Sequence, residues 1–367
     1  MNQGCAVVAI FIGRSDSMHM ADALISPAVG GTLWAAGAAL TYYSAKKIGP
    51  DFHAQKAPLM GVLGAFVFAA QMINFAIPGT GSSGHLGGGL MLSVLLGPYA
   101  GFLTMASILT IQALLFADGG LLALGCNIVN LAFFPCFIAY PLIYRKAAGD
   151  QPSRRRMTVA VTLATVAGLQ LGALGVVAET LLSGITELPF QTFTMFMLPI
   201  HLAIGLAEAA VTTAVLWYVR QEAPGLFSVS SHSKDKVTAS VSLRRILLAV
   251  AIGTVVTAGM FSWFASLSPD GLEWAIQKTA GRNELENSSA IHTLAGAWQE
   301  KIALFPDYQA TLPGISDTKE SKRETKVIWP AVSEGASVAG LIGSTLTLVV
   351  AGAVGAGCRV LAKRNAP

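Results

Sequence analysis

Long apolar runs separated by short polar segments dominate this sequence of 367 residues. Eight of them come close to or exceed the roughly 20 helical residues that cross a bilayer, at 25–45, 57–77, 99–117, 121–145, 157–183, 194–220, 246–267 and 333–357. Charged residues make up only 12% of the chain, against about 25% in soluble domains. The sequence therefore predicts an all-α integral membrane protein.

The charged residues divide the chain into modules. Of the 24 basic and 20 acidic residues, 16 lie within 268–328, which predicts an extracytoplasmic insert. A polar stretch at 221–245 predicts a cytoplasmic linker. We expect a seven-helix bundle over 18–220 and, after the linker, a second module over 246–358 whose two helices bracket the insert.

A shorter apolar run at 86–97 decides the topology. If it crosses, 16 basic residues outside the N-terminal extension and the insert face the cytoplasm, which satisfies the positive-inside rule. We therefore predict nine crossings of the inner cell membrane, with the N-terminus outside and the C-terminus in the cytoplasm. The glycine-rich segment 78–85 precedes this run, and irregular backbone at membrane depth must be buried or line a wet cavity. This combination predicts a site in the outer half of the membrane.

Several classes of function find no support in the sequence. It contains no GxxxxGK[ST] phosphate loop, no HExxH motif and no GxSxG elbow, so we predict no catalytic residue, no ATP hydrolysis by this chain and no organic cofactor. Its basic residues are scattered among loops, which gives no indication of nucleic-acid binding.

Histidine is the most informative residue type. We expect His53, His232 and His292 to be solvated, because they fall in polar segments. His19 and His85 both map to the predicted outer side, the first just before the first helix and the second in the glycine-rich segment. For His85, spacing alone leaves a loop histidine bonded to the backbone as an equal alternative.

Four segments between 18 and 220 resemble the substrate-binding M components (CbiM/NikM type) of energy-coupling-factor nickel and cobalt transporters. They are Met-His-Met-Ala-Asp at 18–22, Gly-Ser-Ser-Gly-His-Leu at 81–86, Gln-Ala-Leu-Leu-Phe at 112–116 with Gly-Gly and Leu-Gly-Cys-Asn behind it, and His-Leu-Ala-Ile-Gly at 201–205 with Glu-Ala at 208–209. Beyond the linker, Pro-Asp-Gly-Leu-Glu-Trp at 269–274 is similar to the PDGLE/N-type component, here fused to M.

The resemblance implies a set of metal ligands. In the family, a free terminal amine, the amide nitrogen and imidazole of the second residue, and a later loop histidine hold the ion. Here these donors are Met18, His19 and His85. Four nitrogens in a square suit Ni(II) and disfavour tetrahedral Zn(II). We expect Ser82, Ser83 and Asn74 to orient the imidazole and Asp22 to hold the N-terminal arm.

Residues 1–17 depart from the family pattern, because a peptide bond at Met18 would convert its amine into an amide. We expect Met18 to be the true first residue, with processing after Ser17 as the alternative. Within the helices, Asn127 is expected to be polar glue between helices. His201 and Glu208 share one helix face, either as a buried structural pair or cap or with a role along the ion path or in coupling to a partner.

The sequence and the resemblance together predict the metal-binding component of an ATP-driven importer for Ni(II) or Co(II), with nickel favoured. The ion is the transported substrate, and the expected partners are ATPase subunits, a transmembrane coupling (T) subunit and the lipid bilayer. The alternative is a self-sufficient secondary permease or channel, against which the lack of inverted repeats argues.

Overall fold

The computed structural model describes residues 19–48, 56–150, 152–222, 236–282, 285, 289–309 and 329–364. Three residues singled out from the sequence, Met18, His53 and His232, lie outside these ranges. The expectations for these three therefore stay predictions.

The described chain is an all-α membrane protein with a single small hairpin. Its helices are α1 (Pro27–Lys47), α2 (Lys56–Gln71), α3 (Gly89–Leu96), α4 (Pro98–Leu115), α5 (Leu124–Ala148), α6 (Arg154–Ser183), α7 (Phe190–Glu222), α8 (Lys236–Gly259), α9 (Gly271–Ala280), α10 (Ala290–Ile302) and α11 (Glu334–Arg364). Strands β1 (Phe75–Ile77) and β2 (Ser82–Gly84) pair antiparallel. Three short 3₁₀ turns lie at Asp22–Leu24, Phe261–Phe264 and Pro306–Tyr308.

Five of the described helices, α4, α5, α6, α7 and α11, are long and apolar enough to cross a membrane. Helix α2 is apolar but has only 16 residues. Helix α5 is wound as a π-helix from Val129 to Tyr144 and contains Pro135 and Pro141, which cannot donate the usual helical hydrogen bond. The prediction of nine crossings stays a prediction.

The predicted span 57–77 is wrong at its C-terminal end. Helix α2 stops at Gln71, and the apolar residues that follow belong to β1. The turn to β2 passes through Gly79 and Gly81, both at positive φ (78° and 74°), a conformation that glycine adopts at little steric cost. The apolar run continues through this point, but the chain reverses direction instead of extending the helix.

The short run at 86–97 forms one half of a tight helical hairpin. Helix α3 has eight residues, about 12 Å of length, and Gly97 at φ 89° joins it directly to α4. A side chain at Gly101 would place its Cβ 2.9 Å from the amide nitrogen of Ser93, so glycine is needed where the two helices approach. Helix α3 therefore packs closely against α4, and both follow the hairpin β1–β2 in the chain.

The C-terminal module packs directly on the bundle, mainly through α11 against α2. A Cβ at Gly61 would lie 2.6 Å from the carbonyl oxygen of Leu348, so these two backbones are in close contact. Small residues recur at four-residue spacing on α2, and all three, Gly61, Ala65 and Ala69, are buried. The corresponding stripe of α1, formed by Gly31, Ala35 and Ala39, is exposed.

Candidate metal centre

The first described residue, His19, lies at the centre of the candidate site. Its side chain is buried, with 4% of the residue exposed. Its ring centroid lies 5.3 Å from that of His85, and the two rings are inclined by 56°. The structure therefore brings together the two histidines that sequence analysis singled out, although 65 residues separate them.

The segment after His19 is fixed by polar contacts to the loop and helix that follow α4. Asn127 donates its side-chain N–H to the carbonyl of Met20 (3.2 Å) and accepts from the amide of Met20 (3.1 Å). The carboxylate of Asp22 accepts from the amide of Ala123 at 2.9 Å. This bond joins Asp22 to the residue that precedes α5. The prediction that the Asn127 side chain bonds one helix to another is wrong. Its amide group forms both hydrogen bonds with the main chain of Met20, in the N-terminal arm.

The loop that carries His85 is anchored by a buried carboxylate. Glu208 accepts the amide N–H groups of Gly87 and Gly88, each at 2.9 Å and each on a different oxygen. Of the roles open for Glu208, these bonds are those of a cap, because they precede the first turn of α3. Close packing completes the support, since a Cβ at Gly84 would lie 2.4 Å from Ile204.

The residues predicted to orient the imidazole, Ser82, Ser83 and Asn74, bond the loop to the insert. The Ser83 hydroxyl donates to the carbonyl of Ser268 at 2.8 Å, and that of Ser82 lies within reach of the carbonyls of Ser83 and Pro269. The carbonyl of Asn74 accepts from the amide of Ser266 at 2.6 Å. These bonds use the hydroxyl protons of both serines, and the expectation that Ser82, Ser83 and Asn74 orient the imidazole stays a prediction.

Two residues of this site escaped the sequence analysis. Asp118 places one carboxylate oxygen 3.0 Å from Nδ1 of His19 and accepts the Tyr308 hydroxyl on the other at 2.6 Å. Burial acts most strongly on the carboxyl of Asp118 and raises its pKa, but the charge and hydrogen bond of His19 and the bond from Tyr308 together outweigh it, so the pKa is lowered. Asp118 stands beside the quoted Gly-Gly pair, which was the available signal, whereas nothing in the sequence indicated Tyr308.

The insert covers this site from one end of the bundle. Tyr308 stacks on Phe116, with ring centroids 5.0 Å apart. His292 is buried and its Nε2 lies 2.8 Å from the carbonyl of Ile25, so the prediction that it is solvated is wrong. The carbonyl of Ile25 belongs to the segment that follows His19. His292 therefore connects the insert to the N-terminal segment of the bundle.

A cavity of about 90 Å³ lies beside the two histidines. Among its lining residues are His19, His85, His201, Glu208 and Asp270. It therefore extends from the candidate metal centre to the Asp-Gly turn of the insert.

Side chains alone do not complete a ligand set. Within the described ranges, no group of three or more His, Cys, Asp or Glu side chains is arranged to hold a metal ion. Main-chain nitrogens would have to supplement the two imidazoles, as the resemblance implies for Met18 and His19. Because Nδ1 of His19 faces Asp118 here, chelation through that atom requires the ring to exchange the carboxylate for the metal.

Comparison with known proteins relates this chain to metal transport proteins. Residues 19–226 match the CbiM family, described as the cobalt uptake substrate-specific transmembrane region, and residues 244–359 match the PDGLE domain. A protein of Archaeoglobus fulgidus, provisionally named fused nickel transport protein NikMN, is 30% identical over 91% of this chain and 96% of its own. The fused nickel transport protein NikMN of Rhodobacter capsulatus is 28% identical over 95% of this chain and 99% of its own.

A solved structure agrees with these matches. The crystal structure of a transition metal transporter shares 27% identity with this chain, covers 62% of it and 99% of the solved chain, and superposes with a TM-score of 0.50. The chain belongs to the CbiM family and carries a PDGLE domain fused behind its CbiM region.

Proposed function

We propose that this chain is the metal-binding membrane component of an ATP-driven energy-coupling-factor importer for Ni(II) or Co(II), with nickel favoured. It captures the ion from outside through the terminal amine of Met18, the amide nitrogen and imidazole of His19, and the imidazole of His85. The ion is its substrate. Hydrolysis of ATP is assigned to separate ATPase subunits, and a transmembrane T subunit transmits the resulting motion.

The observation that carries this proposal is the approach of the half-buried imidazole of His85 to the buried imidazole of His19. With ring centroids 5.3 Å apart, His19 and His85 are close enough for both to reach one ion held about 2 Å from each nitrogen. Hydrogen bonds hold both ligand-bearing segments in place. Asn127 binds the segment after His19, and Glu208 binds the loop after His85. Such support of ligand-bearing segments is typical of metal sites.

The preference for nickel depends on the proposed donors. Four nitrogens that include an amine and an amide of one chain form nearly coplanar chelate rings, and square-planar nitrogen coordination favours Ni(II) over tetrahedral Zn(II). The fused relatives carry nickel in their names, which supports the same choice.

The test is nickel binding by the purified full chain, measured by titration calorimetry. His85→Ala is expected to lose high-affinity binding, while His232→Ala, in the linker, binds like wild type. Circular dichroism and size-exclusion chromatography show whether the variant keeps its fold. Undiminished nickel affinity in a folded His85→Ala protein would contradict the proposed site.

The proposed partners are tested separately by reconstitution into liposomes. We expect nickel uptake only when the chain is combined with its ATPase and T subunits and ATP is supplied. Uptake by the chain alone would instead support a self-sufficient permease or channel.

A further inference from the structure

A third histidine lines the same cavity as the proposed nickel site. His201 lies on α7 and borders the space that also touches His19 and His85. Its Nδ1 is 2.8 Å from the carbonyl of Met197. Because a carbonyl oxygen can only accept, Nδ1 is the donor and the neutral ring keeps its lone pair on Nε2. No hydrogen-bond partner of Nε2 is found among the described residues.

This arrangement is the one that metal-binding histidines use. They nearly always donate the N–H of the other ring nitrogen to a carbonyl or carboxylate, which fixes the tautomer. The loop histidine of the proposed site shows the same pattern, since Nδ1 of His85 lies 3.3 Å from the carbonyl of Leu86. Two histidines of one cavity are thus prepared to bind through Nε2.

The position of His201 along α7 places it at the insert end of the cavity. A Cβ at Gly271 would lie 3.2 Å from Cε1 of the His201 ring, so this imidazole lies directly against the Asp-Gly turn of the insert. Glu208, which binds the loop below His85, lies seven residues further along α7, or about 10 Å. The loop that carries His85 also contacts the insert, because the Ser83 hydroxyl donates to the carbonyl of Ser268 at 2.8 Å.

The surroundings of His201 at this end of the cavity favour a cation. Asp270 lines the same space and is buried, with one carboxylate oxygen accepting from the amide of Glu273 at 2.8 Å. An imidazole nitrogen with an acidic neighbour suits a divalent first-row metal ion.

We propose that His201 is a loading ligand: its Nε2 binds the incoming divalent metal ion within the shared cavity and delivers it to the His19–His85 site. This inference rests on the proposed function. It assigns to His201 a role in the rate of loading, while the final affinity is set by the His19–His85 site.

The test is the rate of nickel binding to the full chain in stopped-flow absorbance. His201→Ala is expected to slow association by about tenfold or more at limiting metal, with an unchanged absorption spectrum at saturation. Uptake by the complete transporter should then fall at low nickel and recover at high nickel. Leu202→Ala, a change to the exposed neighbour on the same helix, is the matched control and should load at the wild-type rate.

A second pair of variants examines the ligand directly. His85→Ala should retain weak nickel binding, and His85→Ala combined with His201→Ala should bind more weakly still. Wild-type loading by a folded His201→Ala protein, or identical residual binding in the single and double variants, would overturn the inference. Full nickel affinity in His85→Ala would instead overturn the proposed function, so the two failures are distinguishable.

Discussion

The side chain of Asn127 pairs with both main-chain polar groups of Met20, accepting from its amide at 3.1 Å and donating to its carbonyl at 3.2 Å. The pairing resembles that of two strands and fixes the backbone immediately after His19. The amide nitrogen of His19 is a proposed ligand. The direction of the backbone at His19 therefore decides whether the four proposed ligand nitrogens can lie in one plane.

Asn127→Leu tests this role. The change keeps the volume of the side chain but leaves the buried amide of Met20 without its partner, and we expect nickel affinity to fall by about 10- to 100-fold. Asn127→Asp keeps an oxygen that accepts from the Met20 amide, but its second oxygen repels the Met20 carbonyl. We expect this variant to lose less nickel affinity than Asn127→Leu does. Titration calorimetry measures both, and equal wild-type affinity in the two variants would contradict the role.

Glu208→Gln tests the support of the His85 loop. The carboxylate accepts from two amides, whereas a glutamine side chain has one oxygen and would turn its NH₂ group towards one of these donors. An unsatisfied buried amide costs about 1–3 kcal/mol, so we expect a lower melting temperature together with weaker nickel binding.

The matched control for this change is Glu222→Gln, at the exposed end of the same helix. It should melt within a degree or two of wild type, in keeping with the small effect of surface substitutions. If Glu208→Gln behaved like this control, the carboxylate would not be needed to hold the loop.

The all-α membrane architecture was predictable because a bilayer imposes a length and an apolar composition on each span. The predicted spans at 157–183 and 194–220 fall within α6 and α7, the helices Arg154–Ser183 and Phe190–Glu222. The end of α2 was not predictable from hydropathy, because the residues of β1 are as apolar as those of a helix. There the turn residues Gly79 and Gly81 decide the outcome.

The candidate site was predictable only where the sequence carries a motif. His19, His85 and Glu208 stand in segments that resemble a known family, and the structure brings them to one cavity. The partner of Asp118 could not be found this way, because Tyr308 lies 190 residues away in another module. Such a contact depends on how the insert packs on the bundle, which no local pattern encodes.

Tyr308→Phe tests the contact between the modules. Phenylalanine keeps the stacking on Phe116 but removes the hydroxyl that donates to the Asp118 carboxylate at 2.6 Å. Hydrogen bonds to charged groups contribute about 1.5–3 kcal/mol, so we expect a clear drop in melting temperature. Tyr218→Phe, on an exposed position of α7, is the control, and an equal melting temperature in both variants would show that the bond contributes nothing.

The terminal amine of Met18 is the most exacting requirement of the proposed site. If it is a ligand, the protein isolated from the membrane must begin at Met18, and intact-mass measurement should show a chain shortened by residues 1–17. A mature chain that still carried those residues while binding nickel with full affinity would exclude the amine as a donor.

Extending the chain by one residue tests the same donor without changing any side chain. A single glycine placed before Met18, in a version that otherwise starts there, converts the amine into an amide and displaces the new terminus from the metal. Neither His19 nor His85 is altered, and the fold should melt at an unchanged temperature in the absence of metal. We expect the added glycine to abolish high-affinity nickel binding, whereas Met18→Leu, which keeps the terminal amine, should bind as wild type does. If the extended chain bound nickel as tightly as its parent, the four-nitrogen site would be wrong and the Asp118 carboxylate beside His19 would be the next ligand to examine.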